Sequence, residues 1–289
     1  MACINSALKQ VDKIVVIDNS SDQYVRSRFK ALENSDKVSF TYNEINKGLG
    51  YALNQGIRYS FANNFGWTLL LDQDSLLSDT MVSEMLQSYR NLVNETKKEV
   101  ALIIPKVYDL NFNKFLPAIL TTAFFNKKIK APDKDVFIHF QITSGALVRN
   151  DMLRDVGLMN EYYFIDYIDF DYCFRVLNKD YKLLLSRNAL LYHRLAEKKQ
   201  KLFFSFREHQ PLRVYYQTRN RLFSLISYGR KYKSFLYSET CRFICKFFKI
   251  ILLESKKKEK LQLYFKGIKD FMANRHDNKP DVPDSPSKK

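Results

Sequence analysis

A layered α/β fold is predicted for this 289-residue chain by three observations. Short apolar runs closed by polar turns alternate with helix-like stretches through the first two-thirds. Several of these runs end in carboxylates, as in "WTLLLDQDSLLSD" (67–79), where four apolar residues give way to Asp72 and Asp74. A hydrophobic content of 46% is enough to bury a full core, as one large domain with an appendage or as two modest domains.

The elements follow in order. "KIVVID" (13–18) is a short strand closed by the turn "DNSSD". "VSFTYNE" alternates, and the stretch after Asn46, "KGLGYALNQGIRYSFAN", is a loop entering a helix. Next come "WTLLLDQDS", read as a buried strand emerging into a polar place, a helix from about Ser78 to Asn94 and the strand "VALIIPKVY". Residues 111–140 lack a clear period and form an irregular excursion with short strands. "QITSGALVRNDMLRDVG" is a strand, a turn at Ser144 and Gly145, and a short helix. The stretch 160–193 holds a loop, a helix near Asp169 to Asn178 and two short apolar strands. From Lys201 the pattern is helical, aromatic and basic, and 276–289 has the Pro, Ser, Asp and Lys content of a disordered tail.

Charge is concentrated in one place. The net charge is +16, and residues 201–275 hold 18 Lys and Arg against 5 Asp and Glu, which leaves the rest nearly neutral. Within that segment Arg242, Lys246 and Lys249 fall at helical spacing, predicting one cationic stripe on an otherwise apolar helix. No apolar run reaches the roughly 18 residues of a membrane span, and the first residues lack a signal-peptide layout, so a cytoplasmic protein is expected. Cys3, Cys173, Cys241 and Cys245 match neither a disulfide framework nor a zinc knuckle and are read as reduced core thiols. The four histidines are too dispersed to define a metal site by spacing.

Acids at the carboxyl ends of strands in an open α/β sheet face the usual ligand position. Asp18, Asp72 and Asp74 stand there, and a divalent cation would resolve the repulsion between the last two. The alternative is that they only cap the following helix. Gly48, Ala52 and Gly56 recur every four residues, a smooth strip for close packing or for ligand approach, although the glycines match no dinucleotide or P-loop pattern. In "FIDYIDFDYCFR" Asp169 and Asp171 point to different sides of a helix, so one of them reaches a substrate; a helix cap is the other use of Asp169. His193 ends a short strand and is either structural or a metal ligand.

In order and spacing, "VVIDNSS", "NKGLGYALNQGI", "LLLDQDS", "ITSGALVR", "FIDYIDFDYCFR", "LYH" and "YYQTRNRL" resemble the inverting family 2 glycosyltransferases, and within them the bacterial rhamnosyltransferase group. The resemblance covers Met1 to about His193 and, more loosely, to Arg275. It implies a GT-A-like, Rossmann-like domain that binds a nucleotide-diphospho-sugar. Asp18 would contact the base, and Asn46, Gly48 and Asn54 would line the donor side. Asp72 would lie near ribose and metal, and Asp74 would coordinate a Mg²⁺ or Mn²⁺ ion. His193 matches a position that approaches the metal, Asp169 the catalytic base, and Ser144, Gly145 and Asp171 fall on the acceptor or sugar side.

On this reading residues 1–200 are a catalytic domain that lacks the family's first strand, Met1 falling inside the helix that follows it. Residues 201–275 are a basic amphipathic segment and 276–289 a tail. The expected reaction moves L-rhamnose from dTDP-rhamnose to a lipid-linked polysaccharide precursor, with the enzyme held peripherally on the anionic inner face of the cell membrane. A transferase for galactofuranose or glucose and a truncated, non-catalytic remnant are the alternatives. Nucleic-acid binding, which the basic segment would also permit, leaves the catalytic motifs idle and is not expected.

Overall fold

The computed structural model describes residues 1–20, 26–27, 29, 32, 35–95, 99–194, 198–201 and 204–273. Helix α1 (Ala2–Ala7) precedes strands β1 (Ile14–Asp18) and β2 (Val38–Tyr42). Then come helix α2 (Leu49–Ala62), strands β3 (Trp67–Leu69) and β4 (Ser75–Leu77), and helix α3 (Met81–Glu95). Strand β5 (Val100–Asp109) opens the excursion made of β6 (Lys114–Phe115), β7 (Ala118–Thr121), β8 (Asn126–Ile129) and β9 (Val136–Ile138). Strand β10 (Leu147–Arg149), helices α4 (Asn150–Val156) and α5 (Ile168–Asn178) and strand β11 (Lys182–His193) complete the layered part. The hairpin β12 (Lys198–Lys201) and β13 (Phe204–Arg207) leads to helices α6 (Pro211–Tyr228), α7 (Lys233–Leu252) and α8 (Lys257–Ala273).

The main sheet runs β3-β10-β5-β11-β4, with β6 added on β5 and β9 on β11. β5 and β11 are parallel neighbours. Their Val, Leu and Ile runs are covered on both faces, the pattern of an interior strand rather than an alternating one. Ile57, Leu102, Ile104, Val148, Tyr172 and Phe174 fill one side, and Met81, Met85, Ile103, Leu184 and Leu191 the other. β1 and β2 form a separate parallel pair. Among the described residues β1 pairs only with β2 and β3 only with β10, so each keeps one open edge in this α/β architecture.

Several expectations change. "KLLLSRNALLYH" is one strand, not two: Ser186 to Ala189 bulge out of register between Leu185 and Leu190, and the strand resumes against β5 and β4. "WTLLLDQDS" is a strand only to Leu69, and its acids lie in a tight turn. The strip of small residues does not exist as such, because Gly56 faces open space. Gly48 instead takes φ 91°, and a Cβ there would stand 2.9 Å from the Phe164 carbonyl. Of the four free cysteines only Cys173 is buried in the core; Cys241 and Cys245 are exposed.

The helical segment is not an appendage. Phe223, Tyr228 and Phe235 join the same core cluster as Tyr163, Ile168 and Phe174. α8 lies along α6 so closely that a Cβ on Gly267 would come within 2.8 Å of the Tyr215 carbonyl. Most of the predicted cationic stripe is turned inward. Lys246 is only 9% exposed, and its ammonium meets the Glu254 carboxylate at 2.8 Å, beside Lys260 at 2.9 Å and Lys249 at 3.1 Å from the same group. Arg242 is more exposed and pairs with buried Glu239. The expected tail, 276–289, lies outside the described residues.

Candidate active site

The centre of the site is the "DQDS" turn between β3 and β4. The Ser75 N–H donates to the Asp72 carbonyl at 3.1 Å, closing a turn that brings Asp72 and Asp74 to the same side. β4 then pairs antiparallel with the end of β11, setting His193 opposite Ser75. The imidazole Nε2 lies 3.2 Å from Asp72 Oδ2 and Nδ1 lies 3.6 Å from Asp74 Oδ2. One ligand atom from each of the three residues falls within 4.8 Å of the others. Sequence spacing could not reveal this, since 121 residues separate Asp72 from His193.

The electrostatics of the cluster favour a positive charge. His193 is 3% exposed, and among the described residues its Nδ1 has no hydrogen-bond partner, a buried nitrogen 3.6 Å from the Asp74 carboxylate. Burial opposes a charge on this ring, yet the bond to Asp72 and the charges of Asp74 and Asp72 outweigh it and raise the pKa. Burial also pushes the Asp74 carboxyl up; the His193 charge pulls it down, and the Asp72 charge adds to the rise. Two oxygens and one nitrogen from Asp, Asp and His suit Mg²⁺ or Mn²⁺, so the residues present fit the expected ion.

A third carboxylate, Asp169, faces the same region. Asp169 sits in the first turn of α5, where the helix N-terminus favours a negative charge. The Thr143 N–H donates to Asp169 Oδ1 at 3.0 Å, and the Thr143 hydroxyl donates to the same oxygen. Burial nevertheless pushes the Asp169 pKa up to about 6, with the Thr143 bonds working against the rise and the Asp72 charge adding to it. The next residue ties the two halves together: Ser144 Oγ accepts the Asp72 N–H at 3.0 Å and bonds Ser75 Oγ at 2.7 Å. Thr143 and Ser144 thus fix the carboxylate relative to the acidic turn. Sequence reasoning missed Thr143 and Ser75, although their positions inside "ITSGALVR" and "LLLDQDS" were a usable signal.

The loop before α5 is strained and held from outside. Asp166 and Tyr167 take φ 63° and 66°, a left-handed pair without glycine. Arg213 grips the Asp166 carboxylate with Nε at 2.9 Å and an η nitrogen at 2.8 Å. Asn220 Nδ2 donates to the Ile165 carbonyl at 2.8 Å, and Arg219, buried among Tyr162, Tyr215 and Tyr216, donates to the Tyr162 carbonyl at 2.8 Å. The "YYQTRN" segment therefore holds the loop that leads into α5 and Asp169.

Other predicted residues have different employment. Asn54 is 1% exposed: its Nδ2 donates to the Met159 carbonyl at 2.9 Å and its Oδ1 accepts the Met159 N–H at 2.8 Å, stapling α2 to the loop after α4. Asp171 is buried and taken up by Arg175 Nε at 2.8 Å and the Tyr228 hydroxyl at 2.6 Å. Ser144 is buried as the strut just described. Gly145 is required by its φ of 86° and by Leu191 and Pro105, 2.8 and 2.9 Å from where a Cβ would lie.

The residues expected on the donor side are joined near the end of β1 through Asn19, which bonds Asn46 and the Gly48 carbonyl. Asp18 ends β1, with its carboxylate accepting the Ser20 N–H at 2.9 Å and Arg26 Nε at 3.1 Å. Exposed Asn46 accepts the Gly48 N–H at 2.9 Å and Asn19 Nδ2 at 3.0 Å.

An α/β sheet whose strand ends present an Asp-Asp-His cluster, with a positioned carboxylate opposite, is the architecture of a GT-A glycosyltransferase. The glycosyl transferase family 2 model matches residues 2–157, more than half of the chain, and the protein belongs to that family. A curated relative, the dTDP-rhamnosyl transferase RfbF of Shigella flexneri, is 26% identical over 223 residues, covering 76% of this chain and 72% of its own. Among solved structures, GalNAc-T7 with UDP, GalNAc and Mn²⁺ superposes with TM-score 0.59 at 12% identity over 94% of this chain and 54% of that one. S. aureus TarS 1–349 gives 0.55 at 13% identity over 95% and 77%. This chain thus spans about half the length of the GalNAc-T7 chain, and these two likenesses speak for the fold alone.

Proposed function

We propose that the protein is an inverting, divalent-cation-dependent glycosyltransferase that moves L-rhamnose from dTDP-rhamnose to a lipid-linked polysaccharide precursor at the anionic inner face of the cell membrane. The observation that carries this is the Asp72, Asp74 and His193 cluster fastened through Thr143 and Ser144 to Asp169. The choice of sugar is supported by the 26% identical rhamnosyl transferase, and the ion by the orphaned His193 Nδ1.

Asp72, Asp74 and His193 would hold the cation, which when bound neutralises the diphosphate leaving group. The acceptor hydroxyl is a poor nucleophile until its proton is removed. Asp169 accepts that proton as the acceptor oxygen bonds to the anomeric carbon, while the bond from that carbon to the diphosphate oxygen breaks and the nucleoside diphosphate departs with its electron pair. One displacement inverts the anomeric centre. Thr143 keeps Asp169 Oδ1 occupied, which orients the carboxylate toward the attacking hydroxyl.

The test is Asp169→Asn. The amide oxygen still accepts from Thr143, so the fold and donor binding persist, while turnover falls about 10²- to 10⁴-fold. A variant with near-normal turnover removes Asp169 from this role. A second reading, a non-catalytic relative, draws on the Asp18 carboxylate being already committed to Arg26 and Ser20. Absence of nucleotide binding and of single-turnover transfer in the wild-type chain would favour it.

A further inference from the structure

Helix α7 is built inside out. Three of its four cations are drawn to acids of the protein, Lys246 and Lys249 to Glu254 and Arg242 to Glu239. Another face carries Tyr237, Ile244, Phe248 and Leu252, spaced to fall on one side of the helix, each with half or more of its surface exposed. Phe265 and Met272 of α8, exposed to a similar degree, extend the patch: Phe247 bridges the two helices, with ring centroids 5.6 Å from Phe248 and 6.0 Å from Phe265. Six large apolar side chains along two helices exceed the scattered exposure normal for a soluble surface.

The border of this patch is cationic. Lys256, Lys257 and Lys258 follow directly on the exposed end of α7, all exposed and without an acidic partner among the described residues. Lys269 lies on the α8 face between Phe265 and Met272. The segment's excess of 18 Lys and Arg over 5 Asp and Glu bears on the occupant. A second copy of this chain would bring the same positive charge to the same face. An anionic lipid surface accepts both parts at once, with the apolar side chains at the acyl boundary and the lysines among the phosphates. No helix among the described residues is long and apolar enough to cross a membrane, so the contact would be in the plane of the interface.

We infer that the face of α7 and α8 carrying Phe248, Leu252 and Phe265, bordered by Lys256 to Lys258, is the surface that docks on an anionic phospholipid bilayer. This deepens the membrane attachment in the proposed function and rests on it. The test needs neither donor nor acceptor, so its failure leaves the transfer reaction standing.

The full chain is sedimented with phosphatidylethanolamine–phosphatidylglycerol vesicles and with phosphatidylcholine vesicles. Preference for the anionic vesicles is expected, falling about 100-fold or more in the double variant Phe248→Glu and Leu252→Glu. The triple variant Lys256→Gln, Lys257→Gln and Lys258→Gln should lose roughly fivefold per lysine. All five side chains are exposed, and unchanged circular dichroism verifies the fold. Sedimentation of the double variant at the wild-type level overturns the inference, as does equal binding to both vesicle types. A wild-type dimer that the double variant dissolves would assign the face to a second copy and overturn it equally.

Discussion

Replacing Thr143 by Val tests how Asp169 is held ready as a base. Valine has nearly the same shape and keeps the backbone N–H that donates to Asp169 at 3.0 Å, but it removes the hydroxyl that donates to the same oxygen. That bond stabilises the ionised carboxylate, so its loss raises the pKa above the present value of about 6. A hydrogen bond to a charged group contributes about 1.5–3 kcal/mol, and one pKa unit corresponds to about 1.4 kcal/mol. The Thr143 N–H bond remains and the site relaxes around the lost hydroxyl, so the net rise is about one unit. A base works only when deprotonated, so the acid limb of kcat/KM for sugar transfer moves from about pH 6 to about pH 7. The rate at pH 6 drops about fivefold, and the plateau above about pH 8 stays within about twofold. A uniform loss at every pH, with the limb unmoved, would refute the assignment of that limb to Asp169.

Three further outcomes follow from the same geometry. Because burial raises the Asp169 pKa, ionising it costs stability: the cost is absent below its unfolded value near 4 and complete above about 6. Inactive Asp169→Asn should therefore be more stable than wild type at about pH 8, by about 1–3 kcal/mol, with no difference at about pH 4; equal melting at both pH values counts against it. Asp74→Ala should weaken Mn²⁺-dependent nucleotide diphosphate binding at least about tenfold by titration calorimetry while leaving metal-free binding unchanged, and an unaltered metal dependence excludes Asp74 as a ligand. Asn54→Ala should cost about 2–4 kcal/mol in urea unfolding, since the buried Met159 N–H loses its acceptor, without changing donor affinity; a stable variant with weaker donor binding would return Asn54 to the donor pocket.

Much of the layered architecture was legible because local chemistry imposes it. β5 and β11 are runs of branched apolar residues that only an interior strand can use, and α5 begins where acidic residues meet an apolar face of helical period. The carboxylates of "DQDS" announced a polar strand tip for the same reason: acids cannot remain inside such a run. Helix α7 was harder. Its sequence contains an apolar side and a charged side, and solubility argues for exposing the charges; Glu239 and Glu254 reverse that by drawing the cations toward the protein.

By itself the sequence determined the strands and helices, the carboxylates at their ends, and the concentration of positive charge after residue 200, since all of these depend on neighbours in the chain. Only the tertiary structure decided which groups meet. His193 reaches Asp72 because β11 resumes after its bulge and pairs with β4. Asn54 and Asp171 make hydrogen bonds to segments distant in sequence that close over them. Long-range pairing is set by packing and register rather than by local pattern, and it also turned the basic helices from an appendage into the support of the loop that leads into α5 and Asp169.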